Sequence, residues 1–276
     1  MELSWFESLI YGGVAGLSEF LPISAEAHRA IYLRLIGAGD YALLRFMSHL
    51  GVLVALLVVS MPMLSKLNRE HQIASVAKKR RKREPDERSL TDIRFLRISG
   101  IALVIGFILY SSVHDLHERL WVLAGILIVN GILLYVPQFL PGANKDSRSL
   151  SSLDGMVIGL CGGLGVIPGL SRVGMITSVS LMRGADKRFA LDNAILLSIP
   201  AVAILLIIDL FSVFITTTGL TFLAVLSCIT AGITAFFSAL FSIYMMRFLA
   251  VRAGFSAFAY YSWGLSLFSS ILYLMI

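Results

Sequence analysis

Two short stretches, one in each half of the chain, place helix breakers, hydroxyls and ionisable side chains inside apolar sequence. The first is Ser18-Glu19-Phe20-Leu21-Pro22-Ile23-Ser24-Ala25-Glu26-Ala27-His28, and the second is Val166-Ile167-Pro168-Gly169-Leu170-Ser171-Arg172-Val173-Gly174. A charge at bilayer depth costs about 2.5–3.5 kcal/mol or more, so such residues usually face a cavity and serve a function. The types present suit phosphate chemistry. Arg172 offers a rigid fork of donors matched to phosphate oxygens. It follows Pro168-Gly169, where a half-helix should begin and present free N–H groups to an anion. Ser171 supplies a hydroxyl that can donate to phosphate or cap that half-helix. Glu19 can act as general base or hold a metal, and His28 can transfer a proton or attack phosphorus. Ser24 precedes His28 by four residues, which puts both on one face of a helix.

Each of these residues also has a structural reading. Glu19 and Arg172 form an ion pair without chemistry, Ser171 caps and nothing more, and His28 is a satisfied polar core residue. Glu26 points away from His28 on a helix, toward the cavity mouth or the membrane interface. His49 reads as a hydrogen-bonding strut inside the first span. His114 and His117 have the i, i+3 spacing of a metal pair, but sit in a short interfacial link that favours the plain reading. Gly162-Gly163-Leu164-Gly165 lacks the Gly-Lys-Ser/Thr of a phosphate-binding loop and reads as a close helix contact. Cys161 and Cys228 stand alone in apolar segments, as small buried hydrophobes.

The elements that must position these groups follow from composition. Of 276 residues, 57% are hydrophobic and 14% are charged, and the mean hydropathy is +0.84, values that exclude an ordinary soluble domain. The start of the chain has no basic region typical of a cleaved signal peptide. Apolar runs of spanning length lie at about 41–62, 95–113, 119–138, 190–211, 220–246 and 255–276. The apolar regions 4–36 and 153–183 are each broken mid-way by a proline motif and read as re-entrant helical hairpins. The fold class is therefore all-α: a polytopic membrane domain of six transmembrane helices plus two re-entrant hairpins, in inverted repeats of about 1–140 and 150–276. Three spans per half invert the second half, an arrangement typical of transporters with a site near the midplane. The net charge of +6 resides in one place: residues 66–97 carry eleven Lys/Arg against five Asp/Glu. The loop about 63–94 is thus expected in the cytoplasm, near anionic headgroups rather than nucleic acid.

On these residues the chain resembles the undecaprenyl-pyrophosphate phosphatase family of the bacterial bacitracin-resistance type. The resemblance covers nearly the whole chain. It is carried by Gly16-Leu17-Ser18-Glu19-Phe20-Leu21-Pro22-Ile23-Ser24, His28, Pro168-Gly169-Leu170-Ser171-Arg172-Val173-Gly174, Ser198-Ile199-Pro200-Ala201 and Gly254-Phe255-Ser256-Ala257-Phe258-Ala259-Tyr260-Tyr261. It implies hydrolysis of a C55 polyprenyl diphosphate to the monophosphate in lipid-carrier recycling. The site would open to the outer side of the bacterial inner membrane and use a divalent cation, Mg²⁺ or Ca²⁺, with no organic cofactor; a homodimer is compatible with it. Catalytic roles then fall on Glu19, His28 and Ser24, phosphate binding on Arg172, Ser171, Gly169 and Thr177, and metal binding on Glu19.

The departures fall on the chemistry. The family's first acidic or amide position is Ala15, and its second serine is Ala25. Leu170 and Val173 replace two hydroxyl residues, and Ile176 replaces a threonine beside Thr177. Glu26 is the candidate replacement carboxylate. The alternative function is a non-catalytic polyprenyl-phosphate transporter on the same fold.

Overall fold

The computed structural model describes every residue except 1–3, 40, 111–118, 143, 217–220, 253–254 and 276. His114 and His117 lie outside the described residues. The chain forms the helices α1 (Trp5–Phe20), α2 (Ala25–Leu35), α3 (Ala42–Ser75), α4 (Glu87–Tyr110), α5 (Leu120–Tyr135), α6 (Ser152–Gly163), α7 (Arg172–Met182), α8 (Lys187–Thr216), α9 (Phe222–Arg252) and α10 (Ser256–Met275). No β-strand forms among the described residues.

The protein is an all-α, polytopic membrane protein. The regions of α3, α5, α8 and α9 at Ala42–Ser75, Leu120–Phe139, Lys187–Thr216 and Phe222–Leu249 are long and apolar enough to cross a bilayer. The other two expected spans coincide with α4 and α10. Phe211, Phe214, Ile215, Phe222, Leu223, Phe237 and Phe241 all project outward, an apolar surface far larger than a soluble protein exposes.

Both broken regions form helical hairpins, and they share one construction. Each opens with a capping box, Ser4 with Glu7 and Ser151 with Asp154. Twenty residues later a second serine caps the second arm: Ser24 accepts from Ala27 N–H, and Ser171 from Gly174 N–H. Between the arms, Pro22 and Pro168 interrupt the helix. Each first arm then packs on a helix of the other half, α1 along α9 and α6 along α4. Matching glycines allow this. A Cβ on Gly12 would lie 2.1 Å from Ala231 O, and one on Gly159 would lie 2.1 Å from Ser99 O. Gly16 and Gly163 repeat that contact one turn on, so a Gly-x₃-Gly stripe brings each hairpin against its partner helix. The expected close-contact role of Gly162-Gly163-Leu164-Gly165 is met at Gly163, whose Cβ would lie 2.5 Å from Gly106 C.

The basic segment is shorter as a loop than the 63–94 expected. α3 continues to Ser75, and α4 begins at Glu87, because 63–75 carries helix-forming Lys, Leu, Arg, Glu and Gln. The remaining loop is tied down by Glu70. Its buried carboxylate accepts from Arg83 at 3.0 and 2.6 Å and from Asp86 N–H at 3.0 Å. The Ser89 hydroxyl, donating to Asp86, holds that carboxyl below its usual range.

Candidate active site where two broken helices meet

The two hairpin breaks meet in the interior and are laced together by hydrogen bonds. Ser24 adopts φ +62°, the left-handed region, the single non-glycine to do so among the described residues. Such backbone costs about 1–3 kcal/mol and persists only when its surroundings fix it. Here its Oγ accepts from Ala27 N–H at 3.3 Å and from Gly169 N–H at 3.1 Å, joining the first break to the second. Gly169 itself has φ +100°, and a Cβ there would meet Ile126 at 2.8 Å. Ser171 Oγ donates to Leu21 O at 3.3 Å. Asn130, from α5, clamps both breaks: its Nδ2 donates to Pro22 O at 3.3 Å and its Oδ1 accepts from Ser171 N–H at 2.9 Å. Ser262 Oγ completes the amide at 3.0 Å from Nδ2.

Around this junction lies a narrow polar pocket lined by Glu19, Ala25, Glu26, Arg29, Ser171 and Arg172, among others. Its volume of about 20 Å³ is room for roughly one water. Arg172, the first residue of α7, forms a buried ion pair through Nη2 with Glu19, at the end of α1. Its Nε points to Ser198 Oγ at 3.4 Å. Arg29 pairs with Glu26. The pocket therefore contains two cations and two carboxylates, each cation held by one carboxylate. Replacing the carboxylate by a phosphate oxygen on either arginine is an exchange of like for like, and a helix N-terminus at α7 favours the added negative charge.

The expected site residues separate into two groups. Glu19, Glu26, Ser171 and Arg172 line the pocket. Ser24 and Gly169 lie behind it as the bond that joins the breaks. Thr177 is buried one turn further along α7, its hydroxyl given to Val173 O at 2.6 Å. His28 is not among the lining residues. Its Nδ1 donates to Ser24 O at 2.8 Å, which leaves Nε2 to accept from Tyr261 OH at 2.7 Å. The rings stack at 9°, so His28 fastens α2 to α10. His49 is the strut expected of it, buried between Arg29 and Asp209.

The model of the family described as bacitracin resistance protein BacA matches residues 8–268. The chain belongs to that family. Among BacA relatives, the undecaprenyl-diphosphatase of Carboxydothermus hydrogenoformans is 29% identical over 267 residues, 94% of this chain and 93% of its own. That of Desulforapulum autotrophicum is 29% identical over 98% of both chains. That of a Nocardioides species is 32% identical over 205 residues, 72% of each. Within the BacA pattern, the pocket of this chain has the methyl group of Ala25 where the resemblance implies a hydroxyl, with Glu26 beside it.

Arg29, Asn130, Asp209 and Arg45 escaped the reading of the sequence. Two signals pointed to them. Arg29 lies three residues after Glu26 inside an apolar hairpin, and Asp209 is the single charged residue of α8 beyond Asp192. Both are intramembrane charges. Asn130 carries no charge and left no such mark.

Proposed function

We propose that this protein is a membrane-embedded diphosphatase that removes the terminal phosphate of undecaprenyl diphosphate. The observation that carries the reading is the Arg172–Glu19 pair, closed across two helix breaks inside a pocket that also holds Ser171 and Glu26. Arg172 and the N-terminus of α7 would bind the terminal phosphate, with Ser171 setting the helix end. A carboxylate displaced from its arginine can take the proton of an attacking water. The water oxygen bonds to the terminal phosphorus, the bridging P–O bond breaks, and the lipid monophosphate leaves as an anion. Glu19 and Glu26 share the pocket, a donor set suited to Mg²⁺ or Ca²⁺ held partly by substrate phosphates. There the ion would neutralise phosphate charge. His28, tied to Tyr261, leaves the proton role to these carboxylates.

The shared construction of the two hairpins and their exchange of partner helices support reading the halves as an inverted repeat. With the basic loop inside the cell, the first hairpin enters from outside. On that reading the pocket opens toward the outer face of the bacterial inner membrane. Phosphate release from undecaprenyl diphosphate by the purified protein, with and without Mg²⁺ or Ca²⁺, tests the reading.

One observation favours a second reading. Ala25 leaves the pocket without the hydroxyl that the resemblance implies there. A transporter of polyprenyl phosphate would then release no phosphate under any metal condition, and would move the lipid between leaflets of a vesicle.

A further inference from the structure

The pocket contains a second buried guanidinium whose setting exceeds what a charge pair requires. Arg29 is 3% exposed and lines the pocket from α2. Its three nitrogens have three different fates. Nη2 meets the Glu26 carboxylate. Nη1 lies 2.8 Å from His49 Nε2, on α3. Nε is buried without a hydrogen-bond partner. Behind it, His49 Nδ1 lies 2.5 Å from Asp209 Oδ2, on α8. Asp209 Oδ1 in turn accepts from Arg45 Nε at 3.1 Å. A carboxylate on Nδ1 fixes the ring with its proton there, so Nε2 is an acceptor aimed at the guanidinium.

This brace spans three helices and fixes Nη1 of Arg29, while Nη2 meets Glu26, itself a lining residue of the pocket. Neutralising Glu26, three residues away on the same helix, needs no such support. The unmet Nε–H is a donor kept buried at a cost, as expected where an acceptor is supplied from outside. The pocket has room for about one water beside the two ion pairs. An entering anion must therefore displace a carboxylate. A diphosphate brings two phosphate groups, and Arg172 holds one.

We propose that Arg29, braced by His49 and Asp209, is a second phosphate-binding group, which exchanges Glu26 for an oxygen of the other phosphate. The identity of the anion rests on the diphosphatase reading; the exchange itself requires only a phosphate-bearing ligand. It makes this pocket selective for a diphosphate over a monophosphate.

Binding of farnesyl methylenediphosphonate, whose P–C–P bridge cannot be hydrolysed, and of farnesyl monophosphate to the full-length purified protein tests this by calorimetry. Arg29→Lys should weaken the diphosphonate about tenfold, the worth of one charged hydrogen bond, and leave the monophosphate unchanged. Measured in EDTA, so that a cation held by Glu26 plays no part, Glu26→Gln, nearly isosteric, should tighten the diphosphonate, because a competing anion is gone. His49→Gln should weaken it in the same sense as Arg29→Lys. Equal loss for both ligands in Arg29→Lys, or weaker diphosphonate binding in Glu26→Gln, overturns the proposal. The readout needs no turnover. Absent phosphate release with selective diphosphonate binding would sink the enzyme and keep the clamp; turnover with no selectivity would do the reverse.

Discussion

Arg172 and Glu19 are separated by 153 residues and meet in one buried ion pair. Glu19 ends the first arm of one hairpin, and Arg172 begins the second arm of the other. Their contact therefore exists only when both breaks are correctly folded and correctly docked. Removing one partner leaves the other charge buried, at a cost of about 3–5 kcal/mol. Glu19→Leu is expected to lower the unfolding temperature in detergent more than the double change Glu19→Leu with Arg172→Met. A thermal shift series on the three proteins checks this.

Arg172→Lys separates charge from geometry. Lysine keeps the positive charge and loses the planar fork. The loss expected in phosphate affinity is about 1–3 kcal/mol, seen as a raised KM together with a lowered kcat.

Asn130 is the clamp on both breaks, through Pro22 O and Ser171 N–H. Asn130→Leu leaves these two backbone groups unmet, each costing about 1–3 kcal/mol. Both stability and phosphate release should fall, although Asn130 does not line the pocket. Unchanged melting in Asn130→Leu would remove it from this role.

Glu70 predicts a local effect. Its carboxylate holds Arg83 and Asp86 N–H, so Glu70→Gln should loosen the loop 76–86. Limited trypsin digestion should cut at Lys78–Arg83 several times faster, while phosphate release stays at the wild-type rate. The same loop reports topology. In a background lacking Cys161 and Cys228, a cysteine at the exposed position of Lys79 should resist membrane-impermeant thiol reagents in intact cells. Rapid labelling would place the loop outside.

Much of this architecture was legible because it rests on local rules. Pro22 and Pro168 interrupt apolar helices whatever surrounds them. Spanning length set the long helices, and the pairing of Glu19 with Arg172 was readable as one alternative because a buried charge in lipid needs a partner. The rest depended on distance. Nothing in the sequence ties Arg29 to His49 twenty residues on, or His49 to Asp209 another 160 beyond. His28 stood out by its type and spacing, but its ring partner Tyr261, 233 residues away, left no mark in the sequence. The basic stretch looked like loop because charge marks loops in membrane proteins, but Lys66, Arg69 and Glu70 are also good helix formers, and α3 continues through them.

The most direct test of the central claim is phosphate release from undecaprenyl diphosphate by the purified full-length protein, beside Glu19→Gln and Arg172→Ala. The wild type should release phosphate steadily in the presence of Mg²⁺ or Ca²⁺. Release should fall about 10²–10⁴-fold in Glu19→Gln, the usual worth of general acid–base catalysis, and comparably in Arg172→Ala. No release by the wild type under any metal condition, or release undiminished in both variants, would contradict the claim.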